Sequence, residues 1–384
     1  MYRSSVCQIK PFVISADPVV VPIPAVNMAK YRLFDCLAMA GILKGDCVAL
    51  TQKEGAPFYS RGNYGYPQSG GSFEMDLIEA TYLVECDRLE VLSNGKRMSF
   101  EELFCHASSV HDDFDIKYIV YRDIRQRGCI VRNECGEYDM TMYERGKNIS
   151  NSRPQYYVRA VSERTSTNIS SFKDQIQETQ NRGKQLLYAV VDEEGDLGYY
   201  AMSKVNPRGK IPAEIKGSAE GTLVRDRVFV FEPESCELLN STAFYGKMIS
   251  GVLQLSIIEA CYLMRLGVLT VSGPDGRMDE KSLKRYGRSV QEEFDMRLSA
   301  YTDLRERGLV VKAGFKYGTH FRVYEESPDD CHARYLIHSV PASTVTMWPE
   351  ISRIVRLSMG VKKDILFCRV TDRTEYLIFK WVRP

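Results

Sequence analysis

The chain of 384 residues carries 51 Lys and Arg against 50 Asp and Glu, a formal net charge of +1, with 44% apolar and 26% charged residues. That composition excludes a disordered or low-complexity chain and describes a globular one, and at about 100 to 200 residues per domain it predicts two or more domains with real cores. The eleven cysteines form no CxxC pair and are odd in number, which argues against a zinc ribbon and against a disulfide framework and points to the reducing cytoplasm. No stretch of 18 or more apolar residues exists, and the apolar segment near the N-terminus is broken by Pro18, Pro22 and Pro24, unlike a membrane span or a signal-peptide core. We expect a soluble cytoplasmic protein with no membrane partner. Basic charge is local: residues 351–384 hold eight Lys or Arg against three acids.

In chain order, residues 1–40 match nothing else in the sequence and are read as an unassigned N-terminal extension. In residues 100–114 the apolar side chains Phe100, Leu103, Phe104, Ala107, Val110 and Phe114 fall at helical spacing, and Ser99 with Glu102 three residues on makes a capping-box start. The segment Asp115 to Gln126 also reads as helix, stops at Gly128, and is followed by a strand beginning CIV, as LVV follows Gly308. Further on, FRVY and RYLIHSV read as strands, WPEISRIVRLSMG as a helix with Pro349 in its first turn, and ILFCRVT and EYLIFKWV as two more strands.

These elements occur twice. DLIEATYL (76–83) matches SIIEACYL (256–263) at a shift of 180, and the same shift lays DIKYIVYRDIRQRGCIV (115–131) on DMRLSAYTDLRERGLVV (295–311). The second halves correspond as well, YYVRAV with RYLIHSV and KQLLYAVVD with KDILFCRVT. The fold class expected is therefore mixed α/β (α+β), two tandem copies of a unit with a helical N-terminal subdomain and a mixed-sheet, nuclease-like C-terminal subdomain. The boundaries are 41–209 for the first copy, 210–220 for a linker, 221–300 for the N-terminal subdomain of the second copy and 301–384 for its C-terminal subdomain.

No metal site is expected, because His106, His111, His320, His332 and His338 form no HExxH motif and no cysteine sits at ligand spacing. GxxxxGK[ST], GxGxxG after a strand and GxSxG are all missing, which removes the common nucleotide and serine-hydrolase readings. What remains is Tyr324, His332 and Lys363, on successive elements of one sheet-containing subdomain. Taken singly, each is more often a packing residue or a solvated helix end than a catalyst.

Together they carry a resemblance. YTDLRERGLVVKAGFKYGTHFRVY, then HARYLIHSV, then VKKDILFCRV resembles the archaeal tRNA splicing endonuclease family, with its series DLRxRG, GxKxGxxFRxY, HxxYLV and VRKK before a strand. This chain departs from the pattern in having SMGVKK where HSVRK is usual. The resemblance implies an endonuclease that cuts precursor tRNA at bulge-helix-bulge junctions without metal or cofactor. Tyr324 would be the base that takes the ribose 2′-OH proton, His332 the acid that protonates the leaving 5′-oxygen, and Lys363 the cation for the pentacoordinate phosphate. The ends left would be a 2′,3′-cyclic phosphate and a 5′-OH.

The first copy places Tyr143 and Lys184 opposite Tyr324 and Lys363, but faces His332 with about Pro154, so it reads as degenerate and structural. The resemblance gives such a unit an acidic loop, here Asp192, Glu193, Glu194 and Asp196, that inserts into a basic groove of a partner chain and makes a homodimer with two active sites. It also implies a clamp on a bulged base, formed by Arg356 and either Trp381 or Arg383. Two other classes compete: a non-catalytic structural or RNA-binding subunit of such an endonuclease, and a metal-dependent nuclease, for which the carboxylate cluster is not found.

Overall fold

Local chemistry sets the helices close to where the sequence puts them. Ser99 and Glu102 close the capping box on Phe100–Val110, satisfying N–H groups that the first turn cannot pair internally. That helix ends before Phe114, because Asp113 adopts a left-handed conformation (φ 56°) and Phe114 opens the next helix, Phe114–Gln126. The second copy repeats the break, with Glu293 left-handed ahead of Phe294–Glu306. Both long helices are followed by a glycine of positive φ, Gly128 at 83° and Gly308 at 78°. At Gly308 packing also excludes a side chain, since a Cβ would lie 2.8 Å from the Gly209 carbonyl oxygen.

The structure, a computed structural model, describes residues 39–384 except 135, 148, 213, 214 and 372. The expected N-terminal extension lies, but for its last two residues, outside the described residues. Besides the helices expected there, each N-terminal subdomain carries a six-stranded sheet, running from Met39–Lys44 to Lys96–Arg97 in the first copy and from Ala219–Val224 to Gly276–Met278 in the second. The segment read as linker thus already holds the start of a strand, and its earlier part docks on the second copy, where Lys210 N–H donates to the Glu325 carbonyl and Ile211 N–H to that of Gly308. Among the described residues no helix is long and apolar enough to cross a membrane.

The C-terminal subdomains merge into one sheet of ten strands. Val310–Ala313, Phe321–Tyr324, Tyr335–Pro341, Asp364–Val370 and Thr374–Val382 of the second copy continue into Leu197–Val205, Gln185–Val191, Tyr156–Ser162, Met140–Met142 and Val131–Asn133 of the first. The junction is antiparallel, from Tyr199 opposite Val382 to Val205 opposite Tyr376. Leu186 faces Met202 in the first copy as Ile365 faces Phe379 in the second, and Met202 faces Phe379 across the junction. Equivalent residues pair with each other there, so a local two-fold axis passes between them.

One face of the sheet is covered by Ile169–Asn181 and Trp348–Gly360, one helix from each copy, whose Phe172, Ile176, Trp348 and Val355 pack with Tyr188, Phe367 and Phe379. On the second copy's other face, Leu298, Tyr301 and Leu304 of Phe294–Glu306 pack with Val311, Val323 and Ile337.

The repeated DxRxRG motif is the joint of each copy. Asp303 accepts hydrogen bonds from Arg307 Nε and from the Tyr376 hydroxyl, both at 2.6 Å, and Asp123 does the same with Arg127 and Tyr199, again at 2.6 Å. Each Asp thus ties a helix to the last strand of its own copy. The middle arginine works on the opposite side: Arg305 donates to the Ala243 and Leu309 carbonyls and stacks over Tyr245 at 4.0 Å. Arg125 donates to the Gly62 carbonyl and stacks over Tyr64 at 4.1 Å.

The repeated IEAxYL segment supplies a buried carboxylate. Glu259 accepts from Gly246 N–H and from Ser256, its N-cap. Glu79 has only the Gly65 N–H at 2.6 Å, with Arg125 and Arg132 at 4.0 and 3.8 Å, because Asp76 stands where the second copy has the capping Ser256. Burial pushes the Glu79 carboxyl up to about 7. Its folded pKa thus lies above that of an unfolded glutamate, about 4.3, so protonated Glu79 favours the fold, an advantage complete below that lower value and lost as pH rises to 7. Denaturant unfolding at several pH values is expected to show wild-type stability falling across this window relative to Glu79→Gln; parallel profiles would refute it.

Candidate functional site

Three segments meet around Ala333. Tyr324 ends its strand opposite Val310 and is buried against Val310 and Ala333. The chain then loops through residues 325–334, held by Glu325, which accepts from the Tyr335 hydroxyl at 3.1 Å and pairs with Arg334 at 3.0 Å. His332 is exposed in that loop, immediately before Ala333. The third segment follows Trp348–Gly360, where Lys362 turns left-handed (φ 53°) and Lys363 N–H bonds back to the Ser358 carbonyl at 3.0 Å. This turn leaves Lys362 exposed and brings Lys363, whose Nζ donates to the Ala333 carbonyl at 2.8 Å. Tyr324, His332 and Lys363 are thereby gathered around one residue.

The first copy keeps this frame and changes its chemistry. Tyr143 follows Met142, which pairs with Val131 as Val323 pairs with Val311, so it takes the place of Tyr324. Lys184 precedes Gln185, which faces Tyr156 as Asp364 faces Tyr335. The register corrects the third position: Gln155 N–H donates to Met142 as Arg334 N–H donates to Val323, which sets Arg153, not Pro154, opposite His332. The preceding turns differ in length between the copies, and a count along the sequence slips by one there.

Of the clamp residues, Arg383 lies over the Trp381 ring at 4.9 Å, so the two alternatives form one stacked pair. Arg356 is exposed and lines a cavity of about 660 Å³ with Arg353, Trp348, Tyr200, Asp192 and Asp196. Trp381 pairs with Tyr200 across the junction, one strand from that cavity. The acidic loop is a tight hairpin turn in which Asp192 Oδ1 accepts from the N–H groups of Glu194 and Asp196 at 3.0 and 2.9 Å. Glu193, Glu194 and Asp196 stay exposed, and Glu193 pairs with Arg164.

A second feature was not found from the sequence. Between the N-terminal subdomain of the second copy and the outer strands of the large sheet lies a cleft of about 770 Å³ where Arg227, Lys247, Arg297, Lys312, Arg322 and His320 outnumber the carboxylates Asp226 and Glu259. Burial pulls Lys312 below its ordinary range, and burial followed by Arg297 pulls His320 down to about 4. The Nε of Arg322 is buried without a hydrogen-bond partner. The cations come from five separate segments, so no run of basic residues marks the cleft.

The fold and site define a class: a tandemly duplicated mixed α/β protein in which one Tyr, His and Lys cluster is complete and the other is not. The model of the tRNA intron endonuclease N-terminal domain matches residues 39–104 and 219–283, and that of the tRNA intron endonuclease catalytic C-terminal domain matches 114–199 and 294–378. Relatives called tRNA-splicing endonuclease match along most of their length. That of Methanococcoides burtonii is 37% identical over 334 residues, covering 85% of this chain and 94% of the relative. That of Methanosarcina mazei is 36% identical, covering 87% and 96%, and that of Halobacterium salinarum 31% identical, covering 90% and 98%. The chain belongs to the tRNA intron endonuclease family.

The Lys363 contact is testable as structure. Lys363→Met removes one hydrogen bond, worth about 0.5–1.5 kcal/mol, and is expected to speed amide exchange at residues 331–334 more than elsewhere. Unchanged exchange there would mean that Lys363 does not hold the loop.

Proposed function

We propose that the protein cleaves precursor tRNA at bulge-helix-bulge exon–intron junctions by attack of the ribose 2′-OH on the adjacent phosphate. The observation that carries this reading is the convergence of Tyr324, His332 and Lys363 on Ala333 in a family member. The attacking 2′-oxygen loses its proton to Tyr324, His332 gives a proton to the departing 5′-oxygen, and Lys363 faces the negative charge that builds on the phosphate. The bond formed closes a 2′,3′-cyclic phosphate and the bond broken frees a 5′-OH, so neither water nor metal enters the step. Arg356 with the stacked Trp381 and Arg383 is the proposed grip on a bulged base.

The first copy, residues 41–209, is proposed as structural, since Arg153 replaces the histidine. Its exposed acidic turn, Asp192 to Asp196, complements the basic cleft of the second copy in a partner chain, and the unpartnered Arg322 Nε is a donor suited to such a carboxylate. Two chains would then make a homodimer with two sites.

Cleavage of an intron-containing precursor tRNA in EDTA tests the chemistry. Wild type is expected to cut, leaving cyclic phosphate and 5′-OH ends, and His332→Ala to lose about 10²-fold or more in rate. Cleavage only with added metal, or full activity in His332→Ala, would overturn the reading. Mass in solution tests the assembly: wild type is expected at twice the chain mass and Glu193→Lys/Glu194→Lys at the chain mass with cleavage lost. A fully active monomer would refute the inserted turn.

A further inference from the structure

The turn joining Val310–Ala313 to Phe321–Tyr324 holds Phe315 at 93% exposure, above every other large apolar side chain among the described residues. The turn is tied down. Gly314 N–H donates to the His320 carbonyl at 3.1 Å, Tyr317 N–H to that of Gly314 at 2.8 Å and Gly318 N–H to that of Phe315 at 3.0 Å, while the Thr319 hydroxyl reaches the Phe321 carbonyl at 3.3 Å. Phe315–Tyr317 forms a single 3-10 turn closed by left-handed Gly318 (φ 65°). A benzyl side chain carried into water on a hydrogen-bonded turn contributes no burial to the fold and leaves its ring free to make a contact.

Its surroundings identify the kind of contact. Lys316 Nζ lies 4.9 Å from the centre of the Tyr317 ring and Lys363 Nζ lies 6.0 Å from the same ring, on its way to Ala333. Lys316 chiefly, then Lys363 and Arg322, draw the Tyr317 phenol below its ordinary range. Rigid aromatic faces beside ammonium groups suit an unpaired nucleobase and its phosphate, because the ring offers a stacking surface to any base while the cation meets the backbone charge.

The first copy serves as an internal comparison. There Glu134 N–H donates to the Asp139 carbonyl where Gly314 donates to that of His320. The turn between them carries Glu137 and Tyr138, and Tyr138 is buried against the Tyr157 ring at 4.5 Å. Cations are present there too, Lys184 at 5.2 Å and Arg182 at 5.7 Å from the Tyr157 ring, but Tyr138 is stacked on that ring, so among the described residues a phenyl ring standing free beside such cations is found at the complete Tyr, His and Lys cluster.

We propose that Phe315, with Lys316 and Tyr317, is a platform on which an unpaired base next to the cut bond of the RNA stacks. This rests on the RNA-cleaving reading of the Tyr324, His332 and Lys363 cluster. The platform sets which nucleotide lies over Lys363, so its loss acts on substrate binding and placement, and the proton transfers keep their own groups.

The test uses the full chain and a precursor tRNA that carries 2-aminopurine at the unpaired junction positions and 2′-deoxyribose at the cut nucleotides, so that it binds without being cleaved. Phe315→Ala is expected to weaken binding about 10-fold, within the roughly 5- to 150-fold that one stacked base is worth, and to relieve the quenching of 2-aminopurine. Phe315→Trp is expected to restore both. Binding and quenching by Phe315→Ala equal to wild type would overturn the platform, as would the same loss in Phe315→Trp. A changed mass in solution for Phe315→Ala would overturn it too, by assigning the turn to a protein contact. Wild type that neither binds this RNA nor cuts its all-ribose form would sink the endonuclease reading and the platform with it; active wild type with an indifferent Phe315→Ala sinks the platform alone.

Discussion

The antiparallel pairing of Leu197–Val205 with Thr374–Val382 is the contact on which the rest of this molecule depends. Each of these strands is the last of its copy and would otherwise be a sheet edge with a row of unpaired N–H and C=O groups. Their union removes both edges at once and sends the remaining ends of the sheet outward, to Val131–Asn133 and Val310–Ala313. Side chains reinforce it across the copies: Phe172 of the first packs edge-on against Trp348 and Phe379 of the second at 5.8 and 5.4 Å. The main pairing is made by backbone, which any sequence supplies, so the copies can diverge at their far ends and still share one sheet.

That freedom is used selectively. What recurs in both copies is the joint chemistry, the Asp, Arg and Tyr tie to the last strand and the arginine stacked on the N-terminal subdomain. What differs lies toward the far edges. In the first copy Asp139 sits between Lys117 and Arg159 at 3.5 and 3.8 Å, one carboxylate shared by two cations. The same places in the second copy hold His320, Arg297 and His338, with the two imidazoles stacked at 5.2 Å. Burial drives both histidines down to about 4, so neither adds charge near neutral pH, and Glu293, at 3.3 Å from His320, is more exposed than the half-buried Asp139. The second copy's cleft keeps a different inner carboxylate, Glu259, which lines it together with Arg297, Lys312 and Arg322.

Much of this was legible in the sequence, for local reasons. The strand FRVY and the helix beginning at Trp348 fall where their composition puts them, because a period-two apolar run and a proline in a first turn are signals carried by adjacent residues. The helix from Phe100 was readable from its capping box, yet its end was not, because Phe114 continues the apolar spacing while the left-handed Asp113 breaks the backbone. The six-stranded sheets of the N-terminal subdomains were missed, since strands such as Tyr66–Pro67 and Lys96–Arg97 have only two residues and owe their pairing to distant partners. Arg153 as the counterpart of His332 was one residue out of reach, a register that only the ladder between Met142 and Gln155 fixes. The basic cleft and the platform turn depend on which segments fold together, which spacing along one chain does not encode.

The incomplete copy is therefore more than a remnant. Without it, Thr374–Val382 would end as an exposed, largely apolar edge, with Leu377, Ile378 and Phe379 beneath it, the kind of strand that pairs with whatever chain is nearest. Trp348 would lose its partners Phe172, Tyr188 and Tyr200, and with them the seat of the helix whose C-terminal turn delivers Lys363. The path from first copy to site is mechanical and short: a paired strand, a packed tryptophan, one helix, one lysine. A unit with Arg153 in the place of His332 thus still fixes, through its paired strand and packed aromatics, the position of the lysine in its neighbour.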